Sequence, residues 1–440
     1  MNNARQTAVE TLEDIFTKGA YSNIALNHNL KSSSLDDLDK SLVTEIVYGT
    51  IRYKYTIDKI LNKFIKKGID KVDSRILNIL RITIFQLKYL NKIPDFAAVN
   101  EAVNLSKRVS YYGSKFVNGV LRSYLRDKNE SLNLNYIDNL CYNYSFPKWM
   151  VKLFIEQYGN ELAEYILKSL NITPKTTVRV NNIKSNYEDT WQKLIDLGYD
   201  ISDGCICPEA IIINKGRSIE SNPLFLNGYI TVQDESAMLP AACMDLQENM
   251  TIYDMCSAPG GKTTHISELM NNTGKVVAFD VHKNKLSLIR SNAARLGITN
   301  IKCVEMDSSK LNLEYISTAD RILLDVPCSG LGIIKKKPEI KWNKNINELN
   351  SILQIQRNIL MNSSRYLKNN GIMIYSTCTL NKEENEGNIN WFLKNNKNFI
   401  LEPIFLGNLE NIIYNPNGTM CILPNEYMDG FFIAKLRKQV

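Results

Sequence analysis

The spacing of apolar residues divides the chain into three stretches with different periods. Up to about Arg126 they return at helical spacing. Ala8, Leu12, Ile15 and Phe16 fall on one helical face, as do Ile76, Ile79, Leu80, Ile84 and Leu87. Ser41–Tyr55, with Leu42, Ile46 and Ile51 near one face, Ala97–Val109 and Lys115–Leu125 read as further helices. No proline precedes Pro94, so long helices are permitted, and a bundle of five or more is expected. Asp127–Asn143, rich in Asn and Ser, reads as a linker. Periods then mix. Pro147 sits near the start of a helix from Trp149 towards Leu170, followed by a strand at Thr177–Asn181, a helix at Tyr187–Leu197 and a strand at Ala210–Ile213. From Gly228 onwards short apolar runs (Thr251–Tyr253, Val276–Asp280, Ile301–Glu305, Ile322–Asp325, Ile372–Ser376) alternate with helical ones (Thr264–Met270, Lys285–Leu296, Leu349–Leu367, Glu383–Leu393), and Gly430–Leu436 is a last strand. Such alternation predicts a mostly parallel sheet covered by helices. The expected fold is multidomain: an all-α domain over residues 1–140, a small α+β module over 141–227, and an α/β domain over 228–440.

Composition adds limits. The 440 residues are 44% hydrophobic, enough for substantial cores, and the net charge of +7 suits a nucleic-acid partner without requiring one. No apolar run approaches the roughly 18 residues of a membrane helix. Met1–Gln6 lacks the apolar core of a signal peptide, so a cytoplasmic monomer with no membrane partner is expected. Nine dispersed cysteines argue for reduced thiols. Cys205 and Cys207 lack zinc-site spacing, and His28, His265 and His282 complete no ligand pattern, so no metal is expected. His265 reads as structural.

The chemistry is organised around Asp254-Met255-Cys256-Ser257-Ala258-Pro259-Gly260-Gly261-Lys262-Thr263-Thr264. Strand, glycine turn and helix follow one another, which is how open α/β sheets build a nucleotide or nucleoside pocket. The pattern is neither G-x-G-x-x-G nor a complete P-loop. Asp280 closes the next strand, where an acid can hold ribose hydroxyls. Asp325-Val326-Pro327-Cys328-Ser329-Gly330 and Tyr375-Ser376-Thr377-Cys378-Thr379 each put a cysteine at the end of a later strand.

In combination and order, the Cys-Ser-Ala-Pro-Gly-Gly-Lys, Asp-Val-Pro-Cys-Ser-Gly and Ser-Thr-Cys-Thr runs resemble those of S-adenosylmethionine-dependent RNA cytosine-5 methyltransferases of the Sun (Fmu, RsmB) type. Phe116–Arg122 is similar to the last-helix signature of NusB-like RNA-binding domains, and the Arg179-Val180-Asn181 and Gln233–Ser236 runs match a ferredoxin-like extension of the same family. Without the resemblance, the helical part reads equally as a packing or dimerisation domain, and the α+β module as a structural platform. The resemblance implies a Rossmann-like methyltransferase domain whose last strand is antiparallel, and small-subunit ribosomal RNA as partner.

The implied reaction needs a thiolate to add at carbon 6 of cytosine, making carbon 5 nucleophilic, and an acid near ring nitrogen 3. Two cysteines compete for the attack. The resemblance assigns it to Cys378 and gives Cys328 to product release, with Asp325 at the cytosine edge or the cofactor and Lys262 at the active site. For the cofactor it implies the loop Cys256, Ser257, Ala258, Pro259, Gly260, Gly261 and Lys262, with Asp280, Asp307 and Asp325. Lys335, Lys336, Lys337, Lys341 and Trp342 combine cations with an aromatic ring and read as RNA-binding, or else as a solvated loop around a core tryptophan. Arg52, Lys54, Lys107, Arg108 and Arg122 are further candidates for phosphate contacts. The loop Leu423–Met428 lacks the histidine many relatives carry there. Rival readings are a cytosine-5 methyltransferase acting on transfer RNA or another RNA, and a non-catalytic RNA-binding assembly factor.

Overall fold

The computed structural model describes residues 3–128 and 133–440. It divides into two compact units, one formed by the chain up to Asn171 with Ile334–Asn345, the other by Ile172–Ile333 and Ile346–Val440.

The first unit is helical: α1 (Ala4–Lys18), α2 (Ser22–Lys31), α3 (Asp37–Arg52), α4 (Lys54–Phe64), α5 (Ser74–Tyr89), α6 (Asp95–Val109), α7 (Tyr111–Arg126), α8 (Tyr136–Tyr144), α9 (Lys148–Tyr158) and α10 (Asn160–Ser169). Asn3, Asp36, Asp73, Ser110 and Asn135 cap α1, α3, α5, α7 and α8, each side-chain oxygen accepting from an N–H that the helix leaves unpaired. Leu12, Ile46, Leu80, Val117 and Leu121 form the centre of the core. The single helix expected over Ser41–Tyr55 is two, because the chain turns at Tyr53, whose ring stacks on Tyr89 at 4.1 Å between centroids. The expected linker at Asp127–Asn143 contains α8, since the polar Asn135 is its cap and Leu140 and Cys141 bury against the bundle. The part of that linker at 129–132 lies outside the described residues.

The second unit carries two sheets. The smaller is antiparallel, in the order β2 (Asp200–Asp203), β3 (Ala210–Lys215), β1 (Thr176–Val180), β4 (Ile230–Val232). The larger runs β11 (Ile412–Tyr414), β12 (Met420–Ile422), β13 (Phe431–Lys438), β9 (Leu367–Thr377), β8 (Ala319–Asp325), β5 (Thr251–Asp254), β6 (Lys275–Asp280), β7 (Ile301–Glu305), with β10 (Phe399–Glu402) also on β13. Strands β7, β6, β5, β8 and β9 are mutually parallel and β13 is antiparallel to β9, as the resemblance implies. After β5 the chain winds to one side through β6 and β7, then returns to lay β8 and β9 on the other. The loops after β5 and β8 therefore diverge and leave a crevice at their carboxyl ends.

One side chain links the smaller sheet to this crevice. Arg179 on β1 is fully buried, and its guanidinium donates to both carboxylate oxygens of Glu268, to Thr264 Oγ1 and to the Gly261 carbonyl. These three residues lie on the helix Gly261–Leu269, which starts from the glycine turn, and the guanidinium donates to Gln233 Oε1 as well.

Candidate active site

The glycine turn is tied down from both ends. Ser257 donates from its N–H and from Oγ to the Phe279 carbonyl at 2.9 and 2.8 Å, and the Ala258 N–H reaches Asp280 Oδ2 at 3.3 Å. Gly260 sits at φ +102°, in the left-handed region, and a Cβ there would stand 3.2 Å from the Ile289 backbone. Glycine therefore meets both a torsional and a steric demand. Asp254 is buried under the turn. One of its oxygens accepts from Thr263 Oγ1 at 2.6 Å, and the other, Oδ1, has no hydrogen-bond partner among the described residues. Burial pushes its pKa up to about 7. Burial, and next the carboxylates of Asp254 and Asp325, push the Cys256 thiol well above its usual range.

Asp280 and Asp307 lie at the ends of neighbouring strands. Asp280 Oδ1 accepts from the His282 N–H at 2.8 Å, and the Met306 N–H donates to the Asp280 carbonyl. Asp307 caps its own turn by accepting from Ser309 N and Oγ at 3.0 and 2.6 Å, and the Ser309 hydroxyl is the main cause that holds its carboxyl low.

At the end of β8, Asp325 accepts from Lys262 Nζ at 2.7 Å and from Ser376 Oγ at 3.0 Å. Burial pulls the Lys262 ammonium down, but Asp325 outweighs it and the pKa is raised, with Cys378 adding to the rise. The two motif cysteines, 50 residues apart in sequence, meet with Sγ atoms 3.3 Å apart. Both are free thiols and partly exposed. The Cys378 sulfur and then burial push the Cys328 thiol well up. Gly332 fits because a Cβ would strike the Gly430 carbonyl at 2.0 Å; its N–H donates to the Cys378 carbonyl at 2.9 Å.

Sequence reasoning missed the residues beneath these cysteines. Glu384, Gln356, Asn385 and Asn388 are all fully buried and hydrogen-bonded to the cysteine loops or to one another. The available signal was polar residues at core-facing helical positions: Gln356 precedes the buried Ile359 and Leu360 on its own helix. His265, read as structural, is buried with Nε2 2.6 Å from Glu209 Oε1.

The basic run after the Pro-Cys loop is corrected in part. Lys341 is buried in the first unit. Its Nζ donates to the Arg52 and Ser145 carbonyls at 3.1 Å and to Asn171 Oδ1 at 2.7 Å, and lies 3.7 Å from the centroid of the Phe146 ring. Trp342 Nε1 donates to the Ile51 carbonyl at 2.8 Å, and its ring packs on the helical core. Lys335 is also buried. The two lysines are interior and do not present themselves to a phosphate, and the partly buried Trp342 is held against the helical core. A strand reading of charge beside aromatic could not separate a solvated run from one folded inwards. Lys336 and Lys337 are partly exposed, with Lys337 Nζ 5.8 Å from the Tyr21 ring. Lys341→Met is expected to cost the first unit about 3 kcal/mol by leaving buried acceptors unpaired. It should leave the slope of log RNA affinity against log salt unchanged, whereas loss of a phosphate contact would reduce that slope by roughly one.

No group of three or more His, Cys, Asp or Glu side chains that could hold a metal occurs among the described residues, and no described helix is long and apolar enough to cross a membrane.

A doubly wound sheet closed by an antiparallel strand, with a glycine turn after its first strand and an acid after its second, defines the Rossmann-like methyltransferase class. Models of three families match in turn: the NusB family over residues 2–126, the ferredoxin-like domain of RsmF/B-like methyltransferases over 146–220, and 16S rRNA methyltransferase RsmB/F over 241–437. The chain belongs to this RsmB/F methyltransferase family and is an rRNA methyltransferase. It is 37% identical to a probable ribosomal RNA small subunit methyltransferase B of Bacillus subtilis, over 99% of this chain and 98% of that one. The crystal structure of PH0851 superposes with a TM-score of 0.84 at 28% identity, covering 99% of this chain and 98% of the other. NSun6 from Pyrococcus horikoshii, crystallised with SFG, has a TM-score of 0.61 at 26% identity, covering 68% of this chain and 99% of its own.

Proposed function

We propose that the protein methylates carbon 5 of a cytosine in small-subunit ribosomal RNA through a covalent adduct with Cys378. The observation that carries the reading is the meeting of Cys378 and Cys328 just past the carboxyl ends of β9 and β8, where the Lys262–Asp325 pair also lies. S-adenosylmethionine, when bound, supplies a sulfonium methyl group that an activated carbon 5 can take. Cys378 adds to carbon 6 of the cytosine and so makes carbon 5 enamine-like. Lys262 supplies positive charge close enough to that sulfur for the two to interact. Asp325, anchored by Lys262 and Ser376, faces ring nitrogen 3. Once carbon 5 carries the methyl group, its proton passes to a base, the C–H electron pair re-forms the 5,6 double bond, and the Cys378 thiolate is expelled; Cys328 assists this release. The target base has to leave any stack to reach the sulfur, so an unpaired loop is the expected substrate.

The chain has features that fit the cofactor. The turn at Gly260 admits close backbone approach, Asp280 can take ribose hydroxyls, Asp307 stands just past the end of the neighbouring strand for the adenine, and Asp254 Oδ1, without a partner among the described residues, suits an ammonium group. A raised carboxyl pKa means the folded protein holds this proton more tightly than the unfolded chain. Its contribution to stability is therefore complete below the ordinary Asp range and is lost as pH rises through about 7. Conversely, an ammonium beside Asp254 favours the carboxylate, so affinity for S-adenosylmethionine should rise as pH passes from about 6 to 8. Asp254→Asn should flatten that rise, as read by calorimetric titration.

The reading is tested by methyl transfer from labelled S-adenosylmethionine to unmodified small-subunit ribosomal RNA, with the product mapped by mass spectrometry. One 5-methylcytosine at a single site is expected. Transfer to transfer RNA alone, or to another base atom, would refute it.

A further inference from the structure

The two sulfurs come from separate strands, yet one carboxylate holds both loops. Glu384, fully buried, lies in the turn of π-helix Glu383–Gly387 that follows the Cys378 loop. Its Oε2 accepts from the backbone N–H of Ser329, the residue after Cys328, at 2.9 Å, and from Gln356 Nε2 at 3.0 Å. Its Oε1 accepts from the Ser329 hydroxyl and from Asn381 Nδ2, the latter at 3.1 Å and three residues past Cys378. Ser329 Oγ is also 2.7 Å from Thr379 Oγ1, next to Cys378, and Gln356 Nε2 also donates to the Pro327 carbonyl at 2.9 Å, on the other side of Cys328. The residues flanking Cys328 and those just after Cys378 therefore converge on a single group. The carboxylate has four donors and, among the described residues, no cation bonded to it. A buried carboxylate without a counter-charge costs several kcal/mol to desolvate. Apolar packing would hold two loops together at lower cost, but it would not fix them by directional bonds.

We propose that Glu384 is a positioning residue that sets the separation and aim of the Cys378 and Cys328 sulfurs. This rests on the reading of the two cysteines as the catalytic pair. Its negative charge also contributes to keeping Cys328 a thiol, which suits a helper and leaves the attack to Cys378. An amide cannot replace the carboxylate without turning an N–H towards a donor. If the amide nitrogen takes the Oε2 place, it faces the Ser329 N–H and Gln356. If it takes the Oε1 place, it faces Asn381, while the Ser329 hydroxyl can rotate to accept.

The test has a geometric arm and a catalytic arm, run on Glu384→Gln and on Ser329→Ala, which keeps the carboxylate and its bond from the Ser329 N–H but loses the hydroxyl links to Glu384 and Thr379. In the geometric arm, diamide oxidises the thiol pair: two electrons and two protons pass to the diazene as the disulfide forms, and the Cys328–Cys378 link is timed by mass spectrometry. In the catalytic arm, kcat and KM for S-adenosylmethionine are measured on the folded variants. For Glu384→Gln, both crosslinking and kcat should fall by about 10²-fold at an unchanged KM, because a misplacement of about 1 Å is enough for such a loss. Ser329→Ala should move both in the same direction by less. Crosslinking and kcat within twofold of wild type in both variants, with only the melting temperature lowered, would overturn the proposal. Slowed crosslinking with kcat untouched would uphold Glu384 as the spacer of the sulfurs and overturn instead the assignment of these cysteines to catalysis.

Discussion

Cys378→Ala is expected to abolish methyl transfer, with a loss on the order of 10⁶-fold, the scale seen when a covalent nucleophile is deleted. Cofactor binding should survive, because the turn Cys256–Lys262 is built on β5 and β6 and makes no hydrogen bond to the Cys378 loop among those described. Cys328→Ala should behave differently. In the proposed mechanism the attack remains possible, but the thiol assigned to release is gone. The variant should therefore form adduct and fail to turn over, and RNA should migrate with the protein on a denaturing gel. A single substitution that kills activity could simply unfold a loop, whereas two neighbouring cysteines with opposite effects on adduct yield cannot be explained that way. If Cys378→Ala left transfer intact and Cys328→Ala abolished it, the two roles would have to be exchanged. Radiolabel transfer and adduct yield, measured together on both variants, decide the matter.

The second large effect is expected at Arg179. Its guanidinium is buried with the Glu268 carboxylate at 2.8 Å, and it also holds the Gly261 carbonyl at 3.0 Å. Arg179→Met leaves a carboxylate without its partner in the interior, a change that typically costs about 3–5 kcal/mol. For a unit of this size the melting temperature should fall on the order of 10 °C. The double substitution Arg179→Met with Glu268→Leu should recover part of the loss, since the desolvated charge goes with its partner. Because Gly261 opens the helix at the glycine turn to which the proposal assigns S-adenosylmethionine, the single variant should also bind that cofactor more weakly at a temperature where it is still folded. Thermal unfolding and calorimetric titration of both variants check the two arms. An unaltered melting temperature in Arg179→Met would show that the buried pair contributes nothing net.

Much of this architecture is legible in the order of residues because the relevant signals are local. A glycine turn between an apolar strand and a helix, and an acid one strand later, mark the first strand–helix–strand unit of a doubly wound sheet from spacing alone. Helical periodicity marked the bundle in the same way. What stayed hidden depends on tertiary partners. Lys341 and Trp342 look like a basic and aromatic RNA surface until the fold supplies carbonyls for the one and a core for the other. Asn135 read as linker because a helix cap and a coil share the same polar residues. The short strands β2, β4, β11 and β12 are three or four residues each, too few for a period to appear. Glu384 stands in an acidic run, Glu383-Glu384-Asn385-Glu386, that on its own suggests an exposed helix start, and only its burial against Ser329 shows otherwise.

The measurement that bears most directly on the proposed chemistry uses a substrate RNA carrying 5-fluorocytosine at the mapped position. Fluorine at carbon 5 cannot leave as a proton, so once methyl transfer has occurred the thiolate has no route off carbon 6. Incubation with S-adenosylmethionine, digestion and mass spectrometry should then find the modified nucleotide attached to the peptide containing Cys378. Attachment at Cys328, or complete absence of adduct from an enzyme that methylates the unsubstituted RNA, would contradict the account.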